Sequence, residues 1–502
     1  MRRTLSLALA ATAVAAAAVS GASAANPDMV TAAPDSLQWG PCPQKAESQK
    51  AESQRAESQG AEAPRLECAT LDVPLDYRNS DGRQIEIAVS RLASKDPSKR
   101  RGVLLTNPGG PGGPGLDYPA LLAGAGLPKA VLDAYDVIGF DPRGVGHSTP
   151  VTCDLTPQQQ ARGNFPPYTH TSADVAKEAP YARTIAKQCA ASRTAWMLPY
   201  TTTANTARDM DRIRAALGEP TASYFGSSYG SYLGAVYATL FPERGDRIVL
   251  DSNMGPGGYD LANFRLLGRG MEDRFPDFAA YAAAHPQYGL GTTPKQVTAK
   301  FFELAKRLDA EPVDGIDGTL FRGLTFDRLY VDGLMPKLAE EWQALDKGKP
   351  LPTPPPVSEN LLASHFYVTC SDSRWPDKVR DYQRNAAIDR LKYPMLGGTT
   401  GSIKPCAYWP KNRVEPPQQI GDRGPSNVLM VQNERDPGTP LVGAMKLRRA
   451  LGDRATMVTA DQGGHGVYPF SRNTCANNTV TAFLTNGQRP ADDLACAAEP
   501  NE

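Results

Sequence analysis

The chain has 502 residues, 41% of them hydrophobic and 22% charged, a globular composition with length enough for one large core carrying an insertion, or for two domains. Lys plus Arg and Asp plus Glu are equal at 54 each, so there is neither a basic surplus for nucleic acid nor an acidic surplus for a solvating tail. Partners have to be inferred from a site.

Met1-Arg2-Arg3 is a positive start, residues 5–19 are an Ala/Leu/Val run and Ala22-Ser23-Ala24 is an A-x-A cleavage signal. Residues 1–24 therefore read as a secretory signal peptide, and the mature protein is expected outside the cell. The apolar run is short for a membrane span of ~20 residues, and no later stretch is suited to crossing a bilayer. In the N-terminal segment 25–64, Lys45-Ala46-Glu47-Ser48-Gln49 recurs with small changes over 50–54 and 55–59, a polar low-complexity insert with no apolar face to bury.

The eight cysteines are an even number in a chain bound for an oxidising compartment. Spacing alone permits many connectivities. Neighbour pairing, Cys42–Cys68, Cys153–Cys189, Cys370–Cys406 and Cys475–Cys496, closes four local loops and is the expected set. No CxxC or Cys/His cluster marks a zinc site, and neither a metal nor a cofactor is expected.

From Cys68 onward short apolar segments alternate with helix-like ones, the rhythm of an α/β protein with a mostly parallel sheet flanked by helices. Strands are expected at 84–93, 103–107, 135–140, 223–225, 247–250, 428–431 and 455–458, and helices at 203–217 and 229–241. Residues 257–421 break the rhythm, with helical patterns such as 297–308, the proline run 350–356 and few strand signals. They are expected to form a mostly helical cap inserted between two parts of the sheet domain, 65–256 and 422–502.

Gly226-Ser227-Ser228-Tyr229-Gly230 follows the 223–225 strand and opens the 229–241 helix. G-x-S-x-G in a strand–turn–helix setting makes Ser228 the candidate nucleophile, exposed on a tight turn beside backbone N–H groups that stabilise negative charge. The loop Asn107-Pro108-Gly109-Gly110-Pro111-Gly112-Gly113 follows an earlier strand, and backbone amides approach a carbonyl only where side chains are absent. The Gly110 and Tyr229 N–H groups are the candidate oxyanion hole.

A serine hydroxyl needs a base, and the base an acid, in the chain order Ser, Asp or Glu, His. Of five histidines, His465 in Gly463-Gly464-His465-Gly466 lies just past the 455–458 strand, whereas His285 and His365 fall in the cap. His465 is the candidate base. Asp436, in the loop after the 428–431 strand, is the candidate acid, with Glu434 as local competitor; Asp141 reads as a structural turn.

The segments N-P-G-G-P-G, D-P-R-G-x-G-x-S, G-S-S-Y-G-S-Y-L-G, D-P-G-T-P and G-G-H-G together resemble those of the secreted tripeptidyl aminopeptidases of actinobacteria, a family in the α/β-hydrolase group that also holds the proline iminopeptidases. The resemblance runs over nearly the whole mature chain; the polar repeat 45–59 departs from it. It implies an α/β-hydrolase fold with a cap and an exopeptidase that releases short peptides from free N-termini of peptides or proteins, with Ser228, Asp436 and His465 at the matching positions. Such an enzyme must bind a protonated amine. Asp372 is the candidate carboxylate, with Glu272, Asp273 and Asp277 as alternatives. A secreted carboxylesterase would use the same triad, and a noncatalytic binding protein could keep the same fold.

Overall fold

The computed structural model describes residues 37–43, 65–352 and 357–499. The expected signal peptide, the polar repeat and part of the proline run lie outside the described residues.

The strands are β1 (Gly40–Pro41), β2 (Glu67–Pro74), β3 (Gln84–Leu92), β4 (Gly102–Asn107), β5 (Tyr135–Phe140), β6 (Ala222–Ser227), β7 (Gly245–Asp251), β8 (Val428–Arg435), β9 (Ala455–Gly463) and β10 (Leu494–Cys496). They form one sheet in the order β1-β2-β3-β5-β4-β6-β7-β8-β9-β10. Pairing is antiparallel from β1 to β3 and between β3 and β5, and parallel from β5 through β4 to β10.

The strands between β4 and β8 alternate between two cores, the period of two that a sheet covered on both faces requires. Val103, Leu105, Tyr224, Ile248, Leu250, Val428 and Met430 pack on one side. Leu104, Phe225, Val249, Leu429 and Val431 pack on the other. β3 begins with Gln84 and Glu86 exposed and Ile85 and Ile87 buried, then loses this alternation as its far half is covered on both faces.

Helices α1 (Tyr118–Gly124), α2 (Lys129–Ala134), α3 (Pro157–Arg162), α4 (Ser172–Ala191), α5 (Thr203–Ala216) and α6 (Tyr229–Leu240) lie in the connections between β4 and β7. Between β7 and β8 come α7 (Leu261–Ala284), α8 (Pro294–Ala310), α9 (Gly318–Arg328), α10 (Met335–Asp346), α11 (Glu359–Asp372), α12 (Val379–Lys392) and α13 (Gly397–Thr400). Finally, α14 (Leu441–Leu451) and α15 (Thr474–Asn486) follow β8 and β9.

The inserted helices divide by where their apolar faces go. α7 to α10 share their own core around Phe275, Phe301, Phe321 and Trp342. α11 instead sends Leu362, Phe366 and Tyr367 into the core under the sheet, together with Trp409. The Cys370–Cys406 disulfide ties its last turn to that region. Cys42–Cys68, Cys153–Cys189 and Cys475–Cys496 are also bonded, so all eight cysteines pair with their neighbours.

Because β4 through β9 are parallel, their carboxyl ends share one edge, where open α/β sheets place their sites. The loops after β4, β6, β8 and β9 bring Gly109, Ser228, Asp436 and His465 to that edge, where Asp251 ends β7.

Candidate active site

Ser228 stands between β6 and α6 with φ 61° and ψ −125°, a left-handed backbone that a non-glycine residue adopts only at a cost of order 1–3 kcal/mol. Its N–H donates to the Asp251 carbonyl at 3.0 Å, which fixes the turn to the end of β7. The flanking glycines are demanded by crowding. A Cβ on Gly226 would come within 2.5 Å of the Gly230 carbonyl oxygen, and one on Gly230 within 2.6 Å of the Asn107 oxygen.

The glycine-rich loop after β4 lies against this turn. Gly109 has φ +100°, and a Cβ there would sit 2.9 Å from Ser228 Cβ and 2.6 Å from the Ser227 oxygen. Its N–H already donates to Asn107 Oδ1 at 3.0 Å. The next amide is Gly110. Across the turn, the Tyr229 N–H opens α6, where a first-turn amide has no acceptor within its own helix and the dipole favours negative charge.

Asp141 holds the far side of that loop. Its Oδ1 accepts the Gly115 and Leu116 N–H groups at 2.9 and 3.0 Å, and its Oδ2 accepts that of His147 at 2.8 Å. The Asp-Pro-Arg turn is completed by buried Arg143, whose guanidinium pairs with Asp209 at 2.6 Å and donates to the Pro74 and Leu75 carbonyls. Asp141 is a structural carboxylate, as its Gly/Pro-rich surroundings imply.

His465 Nδ1 lies 2.9 and 3.0 Å from the two oxygens of Asp436. Asp436, rather than Glu434, is thus the carboxylate on the imidazole. It is 1% exposed and is itself held by the N–H groups of Gly438 and Thr439, both at 2.8 Å, and by Thr439 Oγ1 at 2.9 Å. With Nδ1–H donating to the carboxylate, Nε2 is left to accept a proton. Burial alone would lower the imidazole pKa, but the charge and hydrogen bond of Asp436, with a smaller contribution from Asp251, outweigh it and hold the group above its ordinary value.

Further residues, not singled out by the sequence, hold His465 and the loop after it. The His465 N–H donates to the Tyr330 carbonyl at 2.8 Å, and the two rings meet edge to face at 4.8 Å. The Gly466 N–H donates to Ser252 Oγ at 2.8 Å, while Asp251 accepts the Val467 and Tyr468 N–H groups at 2.9 and 2.6 Å. A carboxylate at the end of an apolar strand was a signal for Asp251; nothing marked Tyr330.

Asp372 ends α11. Its oxygens accept the Thr203 N–H at 2.9 Å and the Thr203 hydroxyl at 2.5 Å. That hydroxyl in turn accepts from Tyr229 Oη at 2.5 Å, so Asp372 is two hydrogen bonds from the residue that opens α6. A pocket beside it is lined by Asp372, Glu415, Thr203 and Tyr232. Burial pushes the Asp372 carboxyl up to about 6. The three alternative carboxylates also have partners: Glu272 accepts the Met395 N–H at 2.9 Å, Asp273 pairs with Arg269, and Asp277 bridges Arg274 and Arg435. Among the described residues no cluster of three or more His, Cys, Asp or Glu is set to hold a metal.

Known proteins share this frame. A family model described as TAP-like protein matches residues 393–496, which carry Asp436 and His465. The tripeptidyl aminopeptidase of Streptomyces lividans is 35% identical over 86% of this chain and 84% of its own length. The chain belongs to the tripeptidyl aminopeptidase family. As a member it is a serine hydrolase with an α/β-hydrolase fold, and its family places it among serine peptidases. Serine protease Hip1 of Mycobacterium tuberculosis is 29% identical over 86% of this chain and 87% of its own length. Carboxylesterase B of the same species is also 29% identical, over 86% of each chain. This tripeptidyl aminopeptidase family member has no helix, among the described residues, long and apolar enough to cross a membrane.

Proposed function

We propose that the protein is a secreted serine exopeptidase that releases short peptides, tripeptides in particular, from free N-termini. The hydrogen bond between His465 Nδ1 and buried Asp436 carries the reading, since it prepares Nε2 to take a proton in the chain order Ser228, Asp436, His465.

In this mechanism Ser228 Oγ attacks the scissile carbonyl as His465 Nε2 takes its proton, and Asp436 stabilises the imidazolium. The Gly110 and Tyr229 N–H groups hold the oxyanion. His465 then returns the proton to the leaving amine. Water, activated by the same imidazole, hydrolyses the acyl-enzyme. The substrate's ammonium group is received by Asp372, beside Glu415 in the pocket bordered by Tyr232. Within the insertion, helices α7 to α10, which share their own core, close the cleft as a cap. Export through residues 1–24 is supported by the four disulfides, which persist in oxidising compartments.

Mass analysis of products from an unblocked peptide and its N-acetylated twin tests the reading. Successive loss of three-residue fragments from the unblocked peptide alone is the expected result. Internal cleavage of both peptides would contradict it. The relationship to a carboxylesterase favours ester hydrolysis as the second reading; an enzyme that cleaves acyl esters and leaves the unblocked peptide intact would establish it.

A further inference from the structure

Asp251 is fully buried at the end of β7, and both its main chain and its side chain are turned toward the parts of the site. Its carbonyl accepts the Ser228 N–H at 3.0 Å. Its Oδ1 accepts the Val467 N–H at 2.9 Å and the Ser252 hydroxyl at 2.9 Å, and its Oδ2 accepts the Tyr468 N–H at 2.6 Å. Ser252 extends the contact, because its Oγ accepts the Gly466 N–H at 2.8 Å. Three consecutive amides after His465 are therefore held by two consecutive side chains.

The backbone supports this arrangement at a local cost. Ser252 has φ 51°, the same unfavoured region as Ser228. Such outliers persist where the surroundings over-determine them, and they cluster at functional sites. With that turn the carboxylate and the next hydroxyl both face the His465 loop, while the Asp251 carbonyl stays on the nucleophile turn.

We propose that Asp251 is a positioning residue of the hydrolytic site: a single buried residue that sets the Ser228 turn and the His465 loop at a fixed separation. The proposal rests on the reading of Ser228 and His465 as nucleophile and base. Asp251 does not touch the imidazole through a hydrogen bond. It acts through the loop and through its charge, which contributes to keeping the His465 pKa up. The charged and titratable groups bearing on the pair are Asp436 on the imidazole, Tyr330 packed edge to face against it, and Tyr118 near Asp251. Burial pushes the Asp251 carboxyl up to about 6, against the Val467 and Tyr468 amides and the Ser252 hydroxyl that favour its charged form.

Asp251→Asn keeps size while replacing one acceptor oxygen with an N–H donor that faces loop amides. The expected result is a kcat lower by about 10- to 100-fold with KM little changed, since a small misplacement of the base is felt in the chemical step. The acid limb of the kcat/KM profile is expected to move to lower pH, because the imidazolium loses a neighbouring charge. A purely structural residue would lower the melting temperature without moving that limb. Ser252→Ala, which removes the acceptor of the Gly466 N–H, is the second variant should Asp251→Asn not fold; a kcat lowered at least severalfold at unchanged melting temperature is expected. Wild-type kcat and pH profile in folded Asp251→Asn, or wild-type kcat in Ser252→Ala where only that variant folds, overturns the proposal. Ser228→Ala and His465→Ala run alongside: full activity in either would overturn the reading of the nucleophile and base, a failure distinct from that of Asp251.

Discussion

Tyr330 and His465 are joined twice, by a 2.8 Å hydrogen bond from the His465 N–H to the Tyr330 carbonyl and by an edge-to-face contact of their rings at 4.8 Å. Tyr330 follows α9, in the inserted helices, whereas His465 follows β9 of the sheet. The insertion thus touches the proposed base directly. An aromatic pair of this kind contributes about 1 kcal/mol, which corresponds to about fivefold in rate if it is lost from the transition state. Tyr330→Leu is expected to lower kcat by about that factor with little change in the circular dichroism spectrum. A wild-type kcat would show that the ring does not hold the imidazole.

Gly109 offers a stricter test of the loop over the nucleophile. At φ +100° an alanine is strained, and its methyl would lie 2.9 Å from Ser228 Cβ. Gly109→Ala is expected to cut kcat/KM by about 100-fold or more through displacement of the neighbouring Gly110 amide. Turnover with a chromogenic peptide measures it, and a change below about threefold would mean that this loop takes no part in stabilising the oxyanion.

The pH profile follows from the environment of His465. The base must be neutral to accept a proton, and Asp436 holds its pKa above the ordinary value despite burial. Activity is therefore expected to rise with pH through a midpoint above the usual histidine range. Asp436→Asn removes the charge that favours the imidazolium, so the midpoint should move down while kcat falls on the order of 10⁴-fold. The kcat/KM profiles of the two proteins check both effects, and an unmoved midpoint would detach Asp436 from the titrating group.

Lys404 gives a prediction about stability. It is 1% exposed, its Nζ lies 3.7 Å from the centroid of the Phe264 ring, and burial pushes its pKa down to about 7 from an ordinary 10.5. The unfolded chain thus binds more protons at this residue between those pH values, and stability from this group rises as pH increases across that window. Lys404→Met is expected to be most stabilising at and below pH 7, with the advantage shrinking toward pH 10. Denaturant unfolding at several pH values measures it. A pH-independent difference would place the ammonium's cost elsewhere.

Much of the fold was legible because its signals are local. The apolar run 135–140 coincides with β5, and the expected helix 203–217 differs from α5 by one residue, its start set by a Thr202 side-chain cap. Ser228, Asp436 and His465 stood out because each follows an apolar strand amid small or turn-forming residues. Other features arise from contacts distant in sequence. Nothing in α11 announced that Phe366 and Tyr367 pack beneath the sheet rather than with the Phe275–Trp342 cluster. Likewise Asp251 became informative only when the fold set it on amides more than two hundred residues away.

The most direct measurement compares wild type and Ser228→Ala on three matched chromogenic substrates: an unblocked tripeptide, its N-acetylated twin and a simple acyl ester. Hydrolysis confined to the unblocked tripeptide, and reduced on the order of 10⁴- to 10⁶-fold in the variant, is the expected result. Turnover of only the acetylated peptide and the ester, or activity that survives the loss of the Ser228 hydroxyl, would contradict a serine exopeptidase.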